Sequence, residues 1–292
     1  MPKATVGCRL VRSDGASSGS SLLLPPLKWA GGKRWLVPIL QKVWQPYAPQ
    51  VRLVEPFCGG LAVALGLQPQ CALLNDANPH LMNFYRHLQQ GLAITECFQN
   101  DRAYYLAARA RFNQLIAAQQ AHTPEAAQWF YYLNRTGYNG LCRFNRGGFF
   151  NVPFGRYAHI SYASGFEAYQ AALLRWAFSV GDFESLRLQS DDFVYADPPY
   201  DVPFVSYAQD GFSWEAQVRL AHWLANHSGP VVVSNQATER VLALYQSHGF
   251  HIQCLPAPRR IACNGNRTPA LEMLASKNLP PNALSLSPAN AP

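Results

Sequence analysis

VRLVEPFCGG, residues 51–60, is an apolar run that breaks off at an acid, a proline and a pair of glycines. A strand buried on both faces reads as such a run, and proline and glycine are what end it. LAVALGL, residues 61–67, follows as the start of a helix. CALLNDANPH, residues 71–80, repeats the pattern and closes its apolar run on Asn75 and Asp76. Two consecutive β-α steps predict a parallel sheet with helices on both faces. The rhythm returns after Ser190: DFVYADPPY is a strand and a corner, and SWEAQVRLAHWLANH is a helix capped by Ser213. PVVVSN then reads as a strand and TERVLALYQSHGF as a helix closed by Gly249.

Between these stretches the chain changes character. From His80 to about Leu133, LMNFYRHLQQ, YYLAARARFNQLIAAQQ and PEAAQWFYYLN space their apolar residues at helical intervals. NRTGYNGLCRFNRGGFFNVPFGRY follows, rich in Gly, Asn, Arg and aromatics, and predicts loops or a hairpin. The whole reads as one sheet interrupted by a helical insertion, with no internal repeat.

Composition narrows the class. With 292 residues and 49% hydrophobic content, the chain can bury a substantial core. A net charge of +7 leans toward a polyanionic partner. Seven cysteines, an odd number without a C-x-x-C pair, argue against a disulfide framework or a zinc ribbon and fit a reducing cytosol. No apolar run approaches the ~20 residues of a membrane span. The start, MPKATVGCRLVRSDGASSGSS, reads as a disordered leader, and the end, NLPPNALSLSPANAP, as a floppy tail.

Three motifs carry chemistry beside VYADPPYDVPF, residues 194–204. In that corner, Pro198 and Pro199 must end a strand and stiffen the backbone just beyond Asp197. This is the sheet edge where open α/β folds place their chemistry, although an ordinary strand-ending turn fits the four residues alone. PPLKWAGGKRWL sets Lys28, Trp29 and Lys33 around two glycines; Trp29 suits a flat ring and Lys33 a carboxylate, and a glycine turn with a packed Trp is the plainer alternative. The glycine turn after EPF, with Asp76 about 20 residues on, has the layout of a nucleotide site with an acid for ribose hydroxyls; Asp76 as a helix cap is equally open. In the aromatic loop Arg135, Arg143, Arg146 and Arg156 alternate with Tyr138, Phe144, Phe149, Phe150, Phe154 and Tyr157, with no acid from Ala126 to Phe166. Arginine bonds guanine and phosphate while aromatics touch or wedge bases, so the loop leans toward nucleic acid.

A purine exocyclic amine is a poor nucleophile, because its lone pair is delocalised into the ring. A carboxylate and a backbone carbonyl, rigidly aimed at its two N–H groups, would push the nitrogen toward a tetrahedral, nucleophilic state, and a neighbouring aromatic would stack on the extruded base. Asp197, the Pro198 carbonyl and Tyr200 make sense as that set.

LKWAGGK, EPFCGG, LLNDAN and ADPPY, in that order, resemble the Dam-type (D12 class) DNA adenine-N6 methyltransferases. The resemblance spans roughly Pro26 to Ser276 and includes VVVSNQATERVLALYQSHGF and RRIACNGNRTPALEMLA as the closing strands and loop. It implies an α/β fold: a Rossmann-like S-adenosylmethionine-dependent methyltransferase sheet with a mostly helical target-recognition insertion. On that reading residues 1–21 are leader, 22–79 and 162–278 the catalytic domain, 80–161 the DNA target-recognition domain and 279–292 tail. S-adenosylmethionine is the implied cofactor, with direct in-line transfer and no metal. Asp197, Pro198, Pro199 and Tyr200 match the catalytic tetrapeptide. Trp29, Lys33, Phe57, Gly59, Asp76 and Asp197 match the cofactor site. YNGLCRFNRGGFFNVPFGRY resembles the segment of the GATC-specific members; there Tyr138, Asn139, Leu141, Arg143, Pro153 and Tyr157, together with Lys28, match positions that touch or wedge DNA.

The implied partner is double-stranded DNA at GATC sites, met by a cytoplasmic, nucleoid-associated monomer without a membrane. One departure stands out: Leu61 follows Gly59-Gly60 where the family often has a further glycine. Rival readings are methylation of cytosine N4 or an RNA adenine, a DNA-binding protein without activity, and a nicotinamide oxidoreductase. The last is weakened by the missing G-x-G-x-x-G.

Overall fold

The computed structural model describes residues 23–201, 212–257, 270–280 and 283–284. The leader expected at 1–21, most of the tail expected at 279–292, and the RRIACNGNR stretch lie outside the described residues. The described residues fall into two compact units. A sheet unit takes those of Ala30–Met82 and Arg175–Pro292, and a helical unit takes those of Met1–Trp29 and Asn83–Leu174.

The sheet unit is built on seven strands: β1 (Leu53–Glu55), β2 (Ala72–Asp76), β3 (Trp176–Val180), β4 (Phe193–Ala196), β5 (Val231–Gln236), β6 (His251–Ala257) and β7 (Ala270–Lys277). Their order is β3-β2-β1-β4-β5-β7-β6. The first five pair in parallel, and β7 inserts antiparallel between β5 and β6. This is the Rossmann-like sheet the sequence implied. Its chain order reverses where β1 lies beside β4, so their carboxyl ends open the crevice in which such sheets bind ligands. Glu55 closes β1 and Asp197 follows β4, which puts both acids at that edge. Register brings the end of β5 beside them, and Glu272 near the start of β7 pairs with Gln236. The apolar runs supply the core: Val54, Val194, Ala196, Val231 and Val233 are all fully buried.

Of the helices, α1 (Val37–Trp44) buries Val37, Leu40, Val43 and Trp44, and α2 (Ala62–Leu67) is short. The chain then enters α3 (Pro79–Gln89), α4 (Arg102–Ala117), α5 (Pro124–Thr136) and α6 (Glu167–Leu173). The first three coincide with the helical runs read in the sequence. The helical unit packs around aromatics: Phe84 stacks on Tyr131 at 5.4 Å, and Phe98 lies 4.8 Å from both Tyr132 and Tyr162. Returning to the sheet, α7 (Trp214–Ala225) is capped by the Ser213 hydroxyl and α8 (Glu239–Ser247) by that of Thr238. Gly249 stands just past α8 with φ +76°, the left-handed turn glycine favours.

One expectation needs correction, and one open alternative falls away. The α/β rhythm resumes at β3, before Ser190. That strand, WAFSV, sits at the sheet edge with only β2 beside it, and of its residues only Trp176 is buried. Asp76 does not cap α3 either. The Asn78 side chain does so, accepting N–H groups from His80 and Leu81 at 3.0 and 3.1 Å.

Candidate active site

The corner after β4 is held from several sides. Both carboxylate oxygens of Asp197 lie 2.9 Å from the Lys33 ammonium, which also donates to the Gly31 carbonyl at 3.0 Å. The Ser234 hydroxyl donates to Asp197 Oδ1 at 2.9 Å, and the Tyr195 hydroxyl lies 2.8 Å from Ser234 Oγ. Glu272 approaches the same ammonium at 4.0 Å, and the ammonium stands 4.8 Å from the Tyr200 ring centre. Lys33 is 4% exposed and Asp197 20%, so one buried cation serves two acids, one of which keeps a face to solvent. Burial pushes the Asp197 carboxyl above its usual range, against the pull of the Lys33 charge and its hydrogen bonds. Burial raises Glu272 as well, and burial, with the Asp197 charge, raises the Glu55 carboxyl well above the ordinary carboxylate value. The Tyr200 hydroxyl is also raised by burial, then by the charges of Asp197 and Glu272, and stays a neutral phenol.

On the β1 side, Gly59 takes φ +43° and donates its N–H to Asp76 Oδ2 at 3.1 Å, while Asp76 Oδ1 accepts from Asn78 at 2.9 Å. The glycine turn and the acid of β2 are thereby one unit. Phe57 is half-buried and meets Phe212 edge-on at 5.4 Å. Leu61 adopts φ 61°, a left-handed conformation that costs an L-residue about 1–2 kcal/mol. Its side chain is nevertheless fully buried, so the turn trades backbone strain for core packing.

The helical unit gathers the remaining predicted positions. Asn134 clasps the backbone of Lys28, accepting its N–H and donating to its carbonyl, both at 2.8 Å. The Lys28 ammonium donates to the Arg135 carbonyl at 2.8 Å and lies 3.5 Å above the Tyr157 ring. Burial, with the Arg135 charge, lowers its pKa to about 8. Gly140 must be glycine: its φ is +62°, and an added Cβ would come within 2.3 Å of the Lys28 Cβ.

Downstream runs a hairpin bridged between Phe144 and Phe150, turning where Asn145 Oδ1 accepts the N–H groups of Gly147 and Phe149, each at 3.0 Å. Arg143 is braced by Asn151, which accepts Nε at 2.8 Å on its side chain and Nη2 at 3.2 Å on its carbonyl. Pro153 accepts the N–H of Tyr138 at 2.9 Å on its carbonyl. Tyr138 is 46% exposed, Asn139 and Pro153 are also exposed, and Leu141 is half-buried. Trp29 is half-buried and falls at the end of this unit's first segment.

Sequence reasoning missed several residues. Ser234 and Asn235 lie near the end of β5 and Glu272 near the start of β7; the abrupt polar close of PVVVSN was the one signal for the first two, and Glu272 had none. Arg102 and Arg109 join Arg156, Asn100, Pro153 and Tyr157 around a cavity of about 490 Å³; they come from α4, well away from the aromatic loop in sequence. Among the described residues no helix is long and apolar enough to cross a membrane, and no cluster of three His, Cys, Asp or Glu is placed to hold a metal.

Several known proteins are similar to this chain. The retron Ec67 DNA adenine methylase of Escherichia coli is 34% identical over 264 residues, covering 85% of this chain and 90% of that protein. The DNA adenine methylase of Vibrio cholerae is 36% identical over 271 residues, covering 85% and 94%. Among solved structures, precorrin-6y C5,15-methyltransferase of Geobacter metallireducens aligns over 83% of this chain and 86% of its own, with TM-score 0.36 and 8% identity. The sequence profile of the D12 class N6 adenine-specific DNA methyltransferases matches residues 29–256. The chain belongs to that family and is a site-specific adenine DNA methyltransferase.

Proposed function

We propose that the enzyme transfers a methyl group from S-adenosylmethionine to N6 of an adenine swung out of duplex DNA at GATC. The observation that carries this reading is the Asp197 carboxylate, locked by Lys33 and Ser234 at the head of a double-proline corner. The crevice suits a cationic donor, because Asp197 and Glu272 share the single Lys33 ammonium. Asp76, fixed to the glycine turn by Gly59, stands where ribose hydroxyls would be met. Lys33, Phe57, Gly59, Asp76 and Asp197 would hold the cofactor together with Trp29. When bound, S-adenosylmethionine supplies an electrophilic methyl group on a sulfonium.

The chain's own work is orientation. Asp197 accepts one N–H of the adenine amine, and the Pro198 carbonyl accepts the other. That pair of bonds localises the nitrogen lone pair and aims it, a positioning effect worth several orders of magnitude in rate. Tyr200, a neutral ring beside the acid, stacks on the extruded base. The helical unit reads the duplex. Exposed Tyr138 wedges beside the vacated position, with Asn139, Leu141 and Pro153 around it. Arg143, its guanidinium braced by Asn151, reaches a guanine edge, while Lys28 contacts the site from beside Tyr157. The cavity arginines Arg102, Arg109 and Arg156 meet backbone phosphates. GATC is favoured by the likeness of residues 138–157 to the GATC-specific members.

Expression in a host without DNA methylation tests the site. Plasmid GATC sites should resist an endonuclease blocked by adenine methylation, and digested nucleosides should contain N6-methyladenine by mass spectrometry. Full cleavage, or N4-methylcytosine in the digest, overturns the proposal.

A further inference from the structure

The double-proline corner leaves one soft torsion. Residue 197 is confined to extended backbone because a proline follows it, and Pro198 is confined for the same reason; both proline rings fix φ. What stays free is rotation about the Cα–C bond of Pro199, which swings its carbonyl and sets where Tyr200 departs. In the structure that carbonyl is tied down. Gln217 on α7 is fully buried, and its Nε2 donates to the Pro199 oxygen at 2.8 Å. Gln217 Oε1 in turn accepts from Asn235 Nδ2 at 3.1 Å, and Asn235, fully buried at the end of β5, accepts the N–H of Gln236 at 2.8 Å. Buried side-chain amides are costly unless satisfied on both ends, and these two satisfy each other and the corner. Among the described residues nothing donates to the Pro198 carbonyl.

We infer that Gln217, oriented by Asn235, is a positioning residue: it fixes the last free torsion of the corner, occupies the Pro199 carbonyl and so leaves the Pro198 carbonyl as the one that receives the adenine amine. The relay touches neither base nor cofactor. It acts through Pro199 on Tyr200 and, by occupying the Pro199 carbonyl, leaves the preceding one open, while Ser234 acts on the other arm through Asp197. The inference rests on the methyl-transfer reading above.

The test is single-turnover methylation of a GATC duplex at saturating S-adenosylmethionine by the full chain, with amplitude and rate constant read separately. Gln217→Met keeps the side chain's length and removes its donor. Gln217→Glu keeps the acceptor for Asn235, and while buried and protonated it still donates to the Pro199 carbonyl. Once ionised at high pH it repels that carbonyl, so its loss of rate should appear as pH rises. Gln217→Met, and Gln217→Glu once ionised, should lower the rate constant about 10- to 100-fold, the scale of a misplacement near 1 Å, with KM for DNA and cofactor changed less than about threefold. A merely structural role predicts the opposite split: lower amplitude and thermal midpoint, with the rate constant of the folded fraction unchanged. That result overturns the inference, and so does a KM change without a change in rate. If Gln217→Met cannot be recovered folded, Gln217→Glu decides. Absence of transfer by the wild-type chain would instead sink the proposed function itself.

Discussion

The double-proline corner and the aromatic hairpin are both short loops after regular elements, yet they are held differently. The corner is fixed by partners remote in sequence: Lys33 reaches Asp197 across 164 positions, and Ser234 across 37. The hairpin's turn is fixed locally, as when Arg143 leans on Asn151 only eight positions away, and α4 adds one remote clasp, Asn113, which accepts the Phe150 N–H at 2.8 Å and donates to its carbonyl at 3.0 Å. In the corner Pro198 is buried and Asp197 and Tyr200 are half-buried, with Pro199 the exposed one, whereas the hairpin region shows Tyr138, Asn139 and Pro153 to solvent. Stiff, desolvated groups suit charge redistribution, because they need no reorganisation during reaction. Exposed groups on a local turn suit a large partner whose edges must be met from outside. Each variant below strikes one region and should leave the other's property intact.

The largest effect belongs to Asp197. Loss of its carboxylate should reduce methyl transfer by about a thousandfold or more while duplex affinity holds, since one aimed polar group is commonly worth two to three orders of magnitude. Asp197→Asn is the cleaner variant, because Asp197→Ala would strand the buried Lys33 ammonium and cost stability as well. The wild-type rate also carries a pH signature. The carboxylate is the active form and burial raises its pKa, so activity falls as pH falls, with an acid limb above the ordinary aspartate range. Substantial transfer by Asp197→Asn would break the comparison, since the stiff region would then not be the chemical one.

Arg143→Ala should do the reverse. Transfer at saturating DNA survives, while discrimination at one guanine position falls by ~1–3 kcal/mol. Competition between cognate and single-substituted duplexes measures it, and an unchanged preference would remove the hairpin from recognition.

Leu61→Gly probes the point where the sheet unit breaks its local rule. Removing a buried leucine costs ~2–5 kcal/mol, and relief of a left-handed backbone returns ~1–2. A net destabilisation of roughly 1–3 kcal/mol is expected in denaturant unfolding. A more stable variant would mean the strain at φ 61° outweighs the packing.

The same contrast explains what the sequence made legible. β1, β2, β4 and β5 announced themselves as apolar runs, and the hairpin as a Gly/Asn-rich stretch, because their causes are local. The corner was readable as rigid, since proline states that in place. Its partners were not. Nothing near Ser234, Gln217 or Glu272 says that β5, α7 and β7 meet the end of β4; that follows from strand order, which brings residues far apart in the chain to one edge. Edge strand β3 escaped because its short apolar run, WAFSV, follows the helical stretch EAYQAALLR with no glycine or proline between them to mark a boundary. Arg102 and Arg109 escaped because they sit on α4, away from the loop whose arginines they join.

The smallest effect separates charge from shape within the helical unit. Lys28 is clasped by Asn134, lies over Tyr157 and shares its surroundings with Arg135, which together with burial brings its pKa to about 8. The protonated form is the one that attracts DNA, so affinity should weaken as pH rises through that value and be fully present below it. The expected change is a few-fold, and the salt dependence should lose about one charge of slope above the transition. Fluorescence anisotropy from about pH 6.5 to 9.5, repeated at several salt concentrations, reports both. Lys28→Gln should flatten the inflection at about pH 8 and bind with the weakened affinity throughout. Because DNA favours the protonated state, binding near that pH should also take up a fraction of a proton, visible as buffer-dependent heat in calorimetry. An inflection that persists in Lys28→Gln would assign the titration to another group and leave Lys28 with the clasp to Asn134 as its role.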